Sequence, residues 1–239
     1  MFNEKIKKLQ EIIDNSNNIV FFGGAGVSTA SGLKDFRGKN GLYKEKYEKT
    51  PEYYLSSECL YQEPEEFYKF YRDKMNCLNV KPNVVHTYLA DLEKKGKLKA
   101  IVTQNIDNLH QKAGSKNVLE IHGTVFKNYC DHCYKEYDVD YIFNSKDVPR
   151  CECGGLIRPD VVLYGEMLPN CFDKAIKYIS KADTLIVAGT SLTVQPACGL
   201  VDLFKGKNLV IINNDNTPYN NQATLFINDD LVDVFSNLK

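Results

Sequence analysis

The chain has 239 residues, of which 43% are hydrophobic, and this is enough for one large domain with a packed core. Its formal net charge of −1 argues against a general binder of nucleic acid or of anionic membranes. No apolar run approaches the roughly 18 residues of a membrane span and no secretory signal is visible, so we expect a cytoplasmic protein that contacts neither membrane nor nucleic acid.

The first predicted element is an amphipathic helix over residues 1–16. Short β-branched runs then alternate with helical patterns. Strands are predicted at 19–22, 99–105, 118–123, 184–191, 208–215 and 224–229, and helices at 64–78, 83–96, 173–182, 195–206 and 229–239. Because apolar strands that alternate with helices form a parallel sheet covered on both faces, the predicted fold class is α/β, a doubly wound Rossmann-like parallel sheet.

Two segments interrupt the alternation and predict additions to this sheet. Residues 39–81 are rich in Tyr, Lys and Glu and predict a small helical insert, and residues 124–158 contain a cysteine cluster. The Rossmann-like domain is then expected to consist of residues 1–38, 82–123 and 159–239.

The cysteine cluster has the spacing C-x2-C-x17-C-x-C and comprises Cys130, Cys133, Cys151 and Cys153. Two tight thiolate pairs on separate turns fit tetrahedral Zn²⁺, and four sulfur ligands leave no position for water, so the predicted zinc is structural. His132 is interpreted as a spacer. The alternative is an unmetallated, reduced loop.

Small and polar side chains close the predicted strands at the edge where a doubly wound sheet binds ligands. They are Thr103, Gln104, Asn105 and Asp107, then His122 and Gly123, then Gly189, Thr190 and Ser191, and finally Asn213 and Asn214. The first strand runs into a glycine-rich loop with Gly23, Gly24 and Gly26, which predicts a turn into a helix N-terminus suited to phosphate. The loop lacks the third glycine of G-x-G-x-x-G and the lysine of a P-loop, so these glycines alone leave a nucleotide site and a simple tight turn open.

The ordered set of motifs resembles the sirtuins, which are NAD-dependent protein lysine deacylases. The motifs are GAGVSTASGLKDFR (24–37), TQNID (103–107), HG (122–123), the four-cysteine module, IRPDVVLYGE (157–166), GTSLTVQP (189–196) and IINND (211–215). The resemblance covers about residues 10 to 235. It implies NAD as co-substrate, one structural zinc, and acetylated lysine in proteins or peptides as substrate, and we expect a monomer.

The resemblance also implies roles for particular residues. His122 is the implied general base, and Asn105 and Asp107 assist it. The implied NAD contacts are Gly24, Ala25, Gly26, Ser28, Phe36, Arg37, Gln104, Asn105, Asp107, His122, Gly189, Thr190, Ser191, Asn213 and Asn214, and the implied substrate contacts are Val162, Tyr164 and Gly165. The resemblance implies that the loop at 24–42 closes over NAD as a lid. Lys34 replaces a common proline in this lid, so a more mobile lid is expected, and Tyr164 replaces a common phenylalanine.

The insert helix bears on the choice of acyl group. Sirtuins that prefer succinyl or malonyl groups carry Tyr-x-x-Arg there, but this chain has Tyr68 followed by Tyr71 at the arginine position, with Arg72 turned about 100° around the helix. The resemblance therefore implies removal of acetyl or other uncharged acyl groups. Two other functions remain open: an NAD glycohydrolase or ADP-ribosyltransferase on the same fold, and a non-catalytic NAD-sensing module.

Overall fold

The computed structural model describes residues 2–38 and 41–239, so the first two residues of the predicted insert, 39 and 40, lie outside the described residues. Within the described ranges the strands, in chain order, are β1 (Ile19–Gly23), β2 (Leu98–Thr103), β3 (Val118–Glu120), β4 (Gly123–Cys130), β5 (Glu136–Tyr137), β6 (Ile157–Val161), β7 (Thr184–Ala188), β8 (Asn208–Ile212) and β9 (Leu225–Ile227).

Six of these strands form one parallel sheet in the order β3-β2-β1-β7-β8-β9. The central strand β1 pairs on both sides, with Phe21 opposite Ile101 of β2 and Ile186 of β7. Successive side chains of β1 point to opposite faces, so that Phe21 and Phe22 enter different apolar clusters. The predicted parallel α/β fold is therefore confirmed, and the carboxyl ends of its strands meet at one edge.

Helices cover both faces of the sheet. Their bounds are α1 (Phe2–Asn15), α2 (Pro51–Tyr54), α3 (Ser57–Gln62), α4 (Pro64–Lys74), α5 (Val84–Lys94), α6 (Leu109–Lys112), α7 (Val139–Asn144), α8 (Cys171–Lys181) and α9 (Leu231–Ser236). Helices α1, α5 and α9 contribute Leu9, Leu89 and Val234 to the cluster around Phe21, whereas α8 packs Ile179 on the other face. No helix within the described ranges is long and apolar enough to cross a membrane.

Strands β5, β4 and β6 form a small antiparallel sheet beside the large one. Its apolar face packs on the helical insert in one cluster, where Phe67 and Tyr68 of α4 meet Val125 and Ile157 of the small sheet. The insert and the cysteine-bearing segment, which are far apart in sequence, thus share one core.

Two predicted helices were wrong. The glycine loop after β1 does not enter an α-helix but forms 3₁₀ turns at Ala25–Val27 and Thr29–Ser31. Residues 195–206 contain a 3₁₀ segment at Ala197–Leu203, and Gly199 inside it weakens the α-helical preference. In the first segment the glycines pack closely against Gly189 and Thr190, and in the second a glycine lies inside the predicted helix, so neither forms a regular α-helix.

Candidate active site and structural metal site

A cavity of about 800 Å³ lies at the carboxyl edge of the large sheet. The loops that follow β1, β2, β7 and β8 line it, together with His122 and the segment 161–166. All of the nucleotide, catalytic and substrate residues predicted from the sequence line this cavity except Gly24. Segments up to about 190 residues apart in the chain therefore converge on one site, as the topology of a doubly wound sheet requires.

The glycine loop is held by close backbone packing. Gly26 donates its N–H to the carbonyl of Gly189 at 2.8 Å, and a Cβ on Gly26 would lie 2.7 Å from the Gly189 Cα. Gly24 lies behind the cavity wall, where a Cβ would lie 2.7 Å from the Thr190 Cβ. The glycines are therefore needed because two backbone segments touch, and this contact brings Ala25 to the cavity surface.

A buried hydrogen-bonded chain joins the first two loops. The Asn105 Nδ2 donates to the Ser28 Oγ at 3.0 Å, and the Ser28 hydroxyl donates to the Asp107 Oδ2 at 2.6 Å. Burial raises the pKa of Asp107, while the hydrogen bonds from Ser28 and from the Leu109 N–H oppose that shift. Ser28 was predicted to contact the cofactor, but in this structure its hydroxyl serves Asn105 and Asp107 and thereby sets the orientation of the Asn105 amide.

His122 lies between the two sheets. Strand β3 ends at Glu120, two residues earlier than the predicted HG, and Gly123 begins β4 in a left-handed conformation at φ 76°. A Cβ on Gly123 would lie 2.0 Å from the carbonyl oxygen of Asp160, so only glycine permits the chain to turn here. The turn directs the imidazole into the cavity.

The imidazole of His122 has a defined orientation and charge. Its Nδ1 lies 3.1 Å from the carbonyl oxygen of Gln104, and a carbonyl can only accept, so Nδ1 carries the proton and Nε2 has a free lone pair. Burial lowers the pKa of His122, and the hydrogen bond to Gln104 partly opposes this effect. The ring is therefore neutral near pH 7 and suited to accept a proton through Nε2.

The loop that covers one side of the cavity contains Phe36 and Arg37, and it is held by ion pairs. Lys34 contacts Glu45 at 2.6 Å, and Lys74 of α4 contacts the same carboxylate at 3.0 Å. Hydrogen bonds from Lys34, Tyr47 and Lys74 lower the pKa of Glu45 to about 2. The lysine at position 34, which was expected to loosen the lid, thus makes a specific contact across it.

The segment 161–166 forms the opposite wall. The Arg158 guanidinium donates two hydrogen bonds to the carboxylate of Glu166, at 2.6 and 2.9 Å, and Glu166 also accepts a hydrogen bond from the N–H of Leu163 at 2.9 Å. This largely buried bidentate pair fixes the turn that presents Val162 and Tyr164 to the cavity.

The four predicted metal ligands converge at one point. Their sulfur atoms lie within 4.8 Å of one another, with 3.5 Å between Cys130 and Cys153 and 3.6 Å between Cys133 and Cys151. Thiolates about 2.3 Å from a tetrahedral zinc lie about 3.8 Å apart, so the arrangement fits this ion. A Cβ on Gly155 would lie 2.5 Å from the Cys130 sulfur, which explains the glycine there. All four ligand positions come from protein, which suits a structural metal.

Sequence comparison identifies the family to which this architecture belongs. A sequence model described as "Sir2 family" matches residues 24–196, from the glycine loop to the end of the loop that follows β7. The chain belongs to the Sir2 family.

Bacterial relatives extend this match to nearly the whole chain. A protein of Clostridium perfringens named NAD-dependent protein deacetylase is 58% identical and covers 95% of this chain and 96% of its own length. A protein of the same name from Staphylococcus aureus is 48% identical over 98% of this chain and 97% of its own length.

Solved structures of Sir2 proteins have the same fold. One, a Sir2 variant with a deacetylated p53 peptide and 3′-O-acetyl-ADP-ribose, superposes with a TM-score of 0.91 at 42% identity and covers 97% of this chain and 96% of its own. Another, Sir2 with a p53 peptide and NAD⁺, gives a TM-score of 0.87 at 42% identity, with 97% and 95% covered.

The apolar end of the cavity in this Sir2-family chain was missed by the sequence analysis. It is lined by Leu33, Leu55, Met75, Cys77 and Ile106. These residues come from the lid, the insert and the loop after β2, and nothing in their local sequence distinguishes them from core residues. Only their convergence in the folded chain reveals that they line the cavity.

The insert helix presents Tyr71 to the cavity. The neighbouring Arg72 points elsewhere, because its guanidinium donates to the carbonyls of Ile142, Lys146 and Asp147 at 2.9, 3.3 and 2.6 Å. Arg72, which is next in sequence to the position where succinyl-preferring sirtuins carry arginine, is thus bonded to the segment around α7 and does not line the cavity.

Proposed function

We propose that this chain is an NAD-dependent protein lysine deacetylase, which transfers an acetyl or other uncharged acyl group from lysine to ADP-ribose and releases nicotinamide. The observation that carries the proposal is the neutral imidazole of His122, which faces a cavity shared by the glycine loop and the 161–166 wall. A Sir2-family chain with this base, and with relatives named NAD-dependent protein deacetylase, has the groups that the reaction needs.

His122 acts as general base in this proposal. Its Nδ1–H is fixed on the Gln104 carbonyl, so Nε2 accepts a proton from a ribose hydroxyl, which becomes nucleophilic toward the acyl carbon. The lowered pKa keeps the ring unprotonated at neutral pH before the proton transfer.

The Asn105–Ser28–Asp107 chain orients polar groups at the sugar. With Nδ2 donating to Ser28, the Asn105 Oδ1 can accept from a hydroxyl or an ordered water in the cavity. The Asp107 carboxylate places negative charge near the site where the sugar becomes positively charged as its bond to nicotinamide breaks.

NAD fits the polar part of the cavity. The co-substrate supplies the ribose that receives the acyl group and a leaving group, nicotinamide. Ala25, Thr190 and Ser191 provide backbone and hydroxyl groups for its phosphates, and Asn213 and Asn214 line the far end. The N–H groups of Gly26 and Gly189 are paired with backbone carbonyls, so these two glycines serve by allowing the phosphates to approach closely. Phe36 and Arg37 cover the near end, where the phenyl ring excludes water.

The substrate lysine enters along the 161–166 wall. Both backbone polar groups of Tyr164 are already paired, its N–H with Leu55 and its carbonyl with Ser57. Gly165, in a left-handed conformation at φ 92°, follows with its backbone next to the cavity. The N–H of Val162 is paired with the His122 carbonyl, so a peptide strand added here would pair with the Val162 carbonyl and the Gly165 backbone. Backbone pairing implies weak sequence selectivity.

The test compares the wild-type protein with His122→Ala, using NAD, an acetylated peptide and mass spectrometry of the products. We expect the wild type to form free lysine peptide and O-acetyl-ADP-ribose, and the variant to lose at least about a hundredfold in turnover while still binding NAD. His132→Ala, which changes a histidine outside the cavity, is the matched control. Free ADP-ribose as the main wild-type product would indicate a glycohydrolase, and undiminished turnover in His122→Ala would refute the proposal.

The proposal also covers the domain organisation, the structural zinc, and the location and oligomeric state of the protein. We infer a Rossmann-like NAD-binding domain from residues 1–38, 82–123 and 159–239, a helical insert at 39–81 and a zinc-binding module at 124–158. The zinc, held by the four cysteines, keeps β4 and β6 in register, and β6 leads directly into the substrate wall. We further infer a cytoplasmic monomer that acts on acetylated proteins and does not bind nucleic acid directly, supported by the eight unpaired cysteines and the near-zero net charge.

A further inference from the structure

Two tyrosines meet across the mouth of the cavity. The hydroxyl of Tyr43, just after the lid, lies 2.6 Å from the hydroxyl of Tyr164 in the substrate wall, and either can be the donor. The two residues are 121 positions apart in the chain. Burial of Tyr43 and its hydrogen bond to Tyr164 both raise the pKa of Tyr43, so the phenol remains protonated in the physiological range.

The Tyr164 end of this contact is rigid. Its backbone N–H donates to the Leu55 carbonyl at 3.0 Å, and its own carbonyl accepts the Ser57 N–H at 3.1 Å. These bonds tie Tyr164 to helices α2 and α3, which belong to the apolar core that the insert shares with the small sheet. The backbone of Tyr164, from which the phenol reaches Tyr43, is therefore fixed on the substrate side.

The Tyr43 end supports the lid. The Tyr43 N–H donates to the Phe36 carbonyl at 2.9 Å, and the Phe36 ring packs edge-on against the Tyr43 ring at 5.8 Å between centroids. The Arg37 guanidinium lies over the Tyr43 ring, 4.7 Å from the ring centroid. Tyr43 does not line the cavity, but it touches both lid residues that do.

We propose that Tyr43 and Tyr164 are a positioning pair whose hydroxyl–hydroxyl bond fastens the lid to the substrate wall and so holds Phe36 and Arg37 over the bound NAD. This inference rests on the proposed function. It also gives a role to the tyrosine at position 164, because a phenylalanine there lacks the oxygen that Tyr43 contacts.

The experiment is a double-mutant cycle of Tyr43→Phe, Tyr164→Phe and the double variant, each of which removes an oxygen and keeps the rings. NAD alone is titrated into the zinc-bound proteins by calorimetry, and KM for NAD and kcat are measured with saturating acetylated peptide. Because the bond is partly exposed, we expect each single variant to weaken NAD binding and to raise the KM for NAD by about two- to fivefold, and the kcat of Tyr43→Phe, whose side chain does not line the cavity, to stay nearly unchanged. The double variant should be no worse than either single variant, because both remove the same bond.

Tyr53→Phe is the matched control, since it removes a phenol of the insert that donates to Glu63 at 2.9 Å, outside both the cavity lining and the lid contacts of Tyr43, and it should leave NAD affinity unchanged. If NAD affinity is unchanged in Tyr164→Phe, or if the two single effects multiply in the double variant, the positioning pair is refuted while the proposed function stands. A wild type that neither binds NAD nor turns over peptide refutes both.

Discussion

Replacing Ser28 by alanine tests the buried chain at the centre of the site. The substitution removes the 2.6 Å hydrogen bond to the Asp107 carboxylate and the acceptor of the Asn105 amide. A hydrogen bond to a charged group contributes about 1.5–3 kcal/mol and its neutral counterpart about 0.5–1.5 kcal/mol. Since Ser28 is buried, no water replaces the hydroxyl readily, and we expect the free energy of unfolding to fall by the sum of the two, about 2–4.5 kcal/mol at pH 8.

The sign of the pH dependence follows from Asp107. Burial already raises its pKa, and the Ser28 hydroxyl opposes that shift, so Ser28→Ala raises the pKa further. The wild type is therefore more stable than the variant where the Asp107 carboxylate is charged. As the pH falls, Asp107 of the variant is protonated first, and the difference in unfolding free energy shrinks by about 1.4 kcal/mol per pH unit. The difference in unfolding free energy should be smaller at pH 5 than at pH 8.

Urea unfolding of the zinc-bound proteins at both pH values measures this difference, and contributions common to both proteins cancel. Ser31→Ala is the control, because the Ser31 hydroxyl lies on the same loop but accepts from Asn83, which also donates to a backbone carbonyl. An equal loss of stability at pH 5 and pH 8, or a stable Ser28→Ala, would refute the assignment of Ser28 as the donor to Asp107.

Three further predictions concern the metal, acid stability and the acyl group. Removal of zinc by a chelator, or the substitution Cys151→Ser, should lower both the unfolding temperature and peptide turnover. Adding zinc back should restore both in the chelated wild type but not in Cys151→Ser. The control Cys171→Ser, outside the cluster, should change neither the unfolding temperature nor turnover. Burial lowers the pKa of His86 to about 4 and that of His110 to about 3, so each neutral histidine contributes its full stability above pH 6.5. As the pH decreases toward those pKa values, urea titrations should show the free energy of unfolding falling by up to roughly 1.4 kcal/mol per histidine per pH unit. A constant free energy of unfolding from pH 7 to pH 4.5 would contradict this. Mass spectrometry with matched peptides should show deacetylation faster than desuccinylation by roughly tenfold or more, because Arg72 is held on backbone carbonyls outside the cavity and Lys74, which lines it, is already paired with Glu45. Tyr71→Arg should narrow the difference, and equal turnover of the two peptides by the wild type would contradict the reasoning.

Local patterns in the sequence determined the α/β class, the approximate positions of the six strands of the large sheet and the four-cysteine cluster, but not the three strands of the small sheet. Their signals are short-range: β-branched runs, tight cysteine pairs and polar residues at strand ends all lie within a few residues of one another. Asn108 has a left-handed backbone at φ 60°, a conformation that asparagine tolerates better than most residues. The family resemblance, which the comparisons confirm, added the order of the motifs along the chain.

The tertiary structure decided what depends on distant contacts. The glycine loop forms 3₁₀ turns because it packs on Gly189, 163 residues after Gly26, and the hydroxyl of Ser28 serves Asp107 because β1 and β2 are neighbours in the sheet. The contacts of Lys34 with Glu45 and of Tyr43 with Tyr164 likewise join segments whose separate sequences carry no sign of a partner. Sequence patterns report the conformation and burial of a residue, whereas the partner of a polar group is set by which loops the folded sheet brings together.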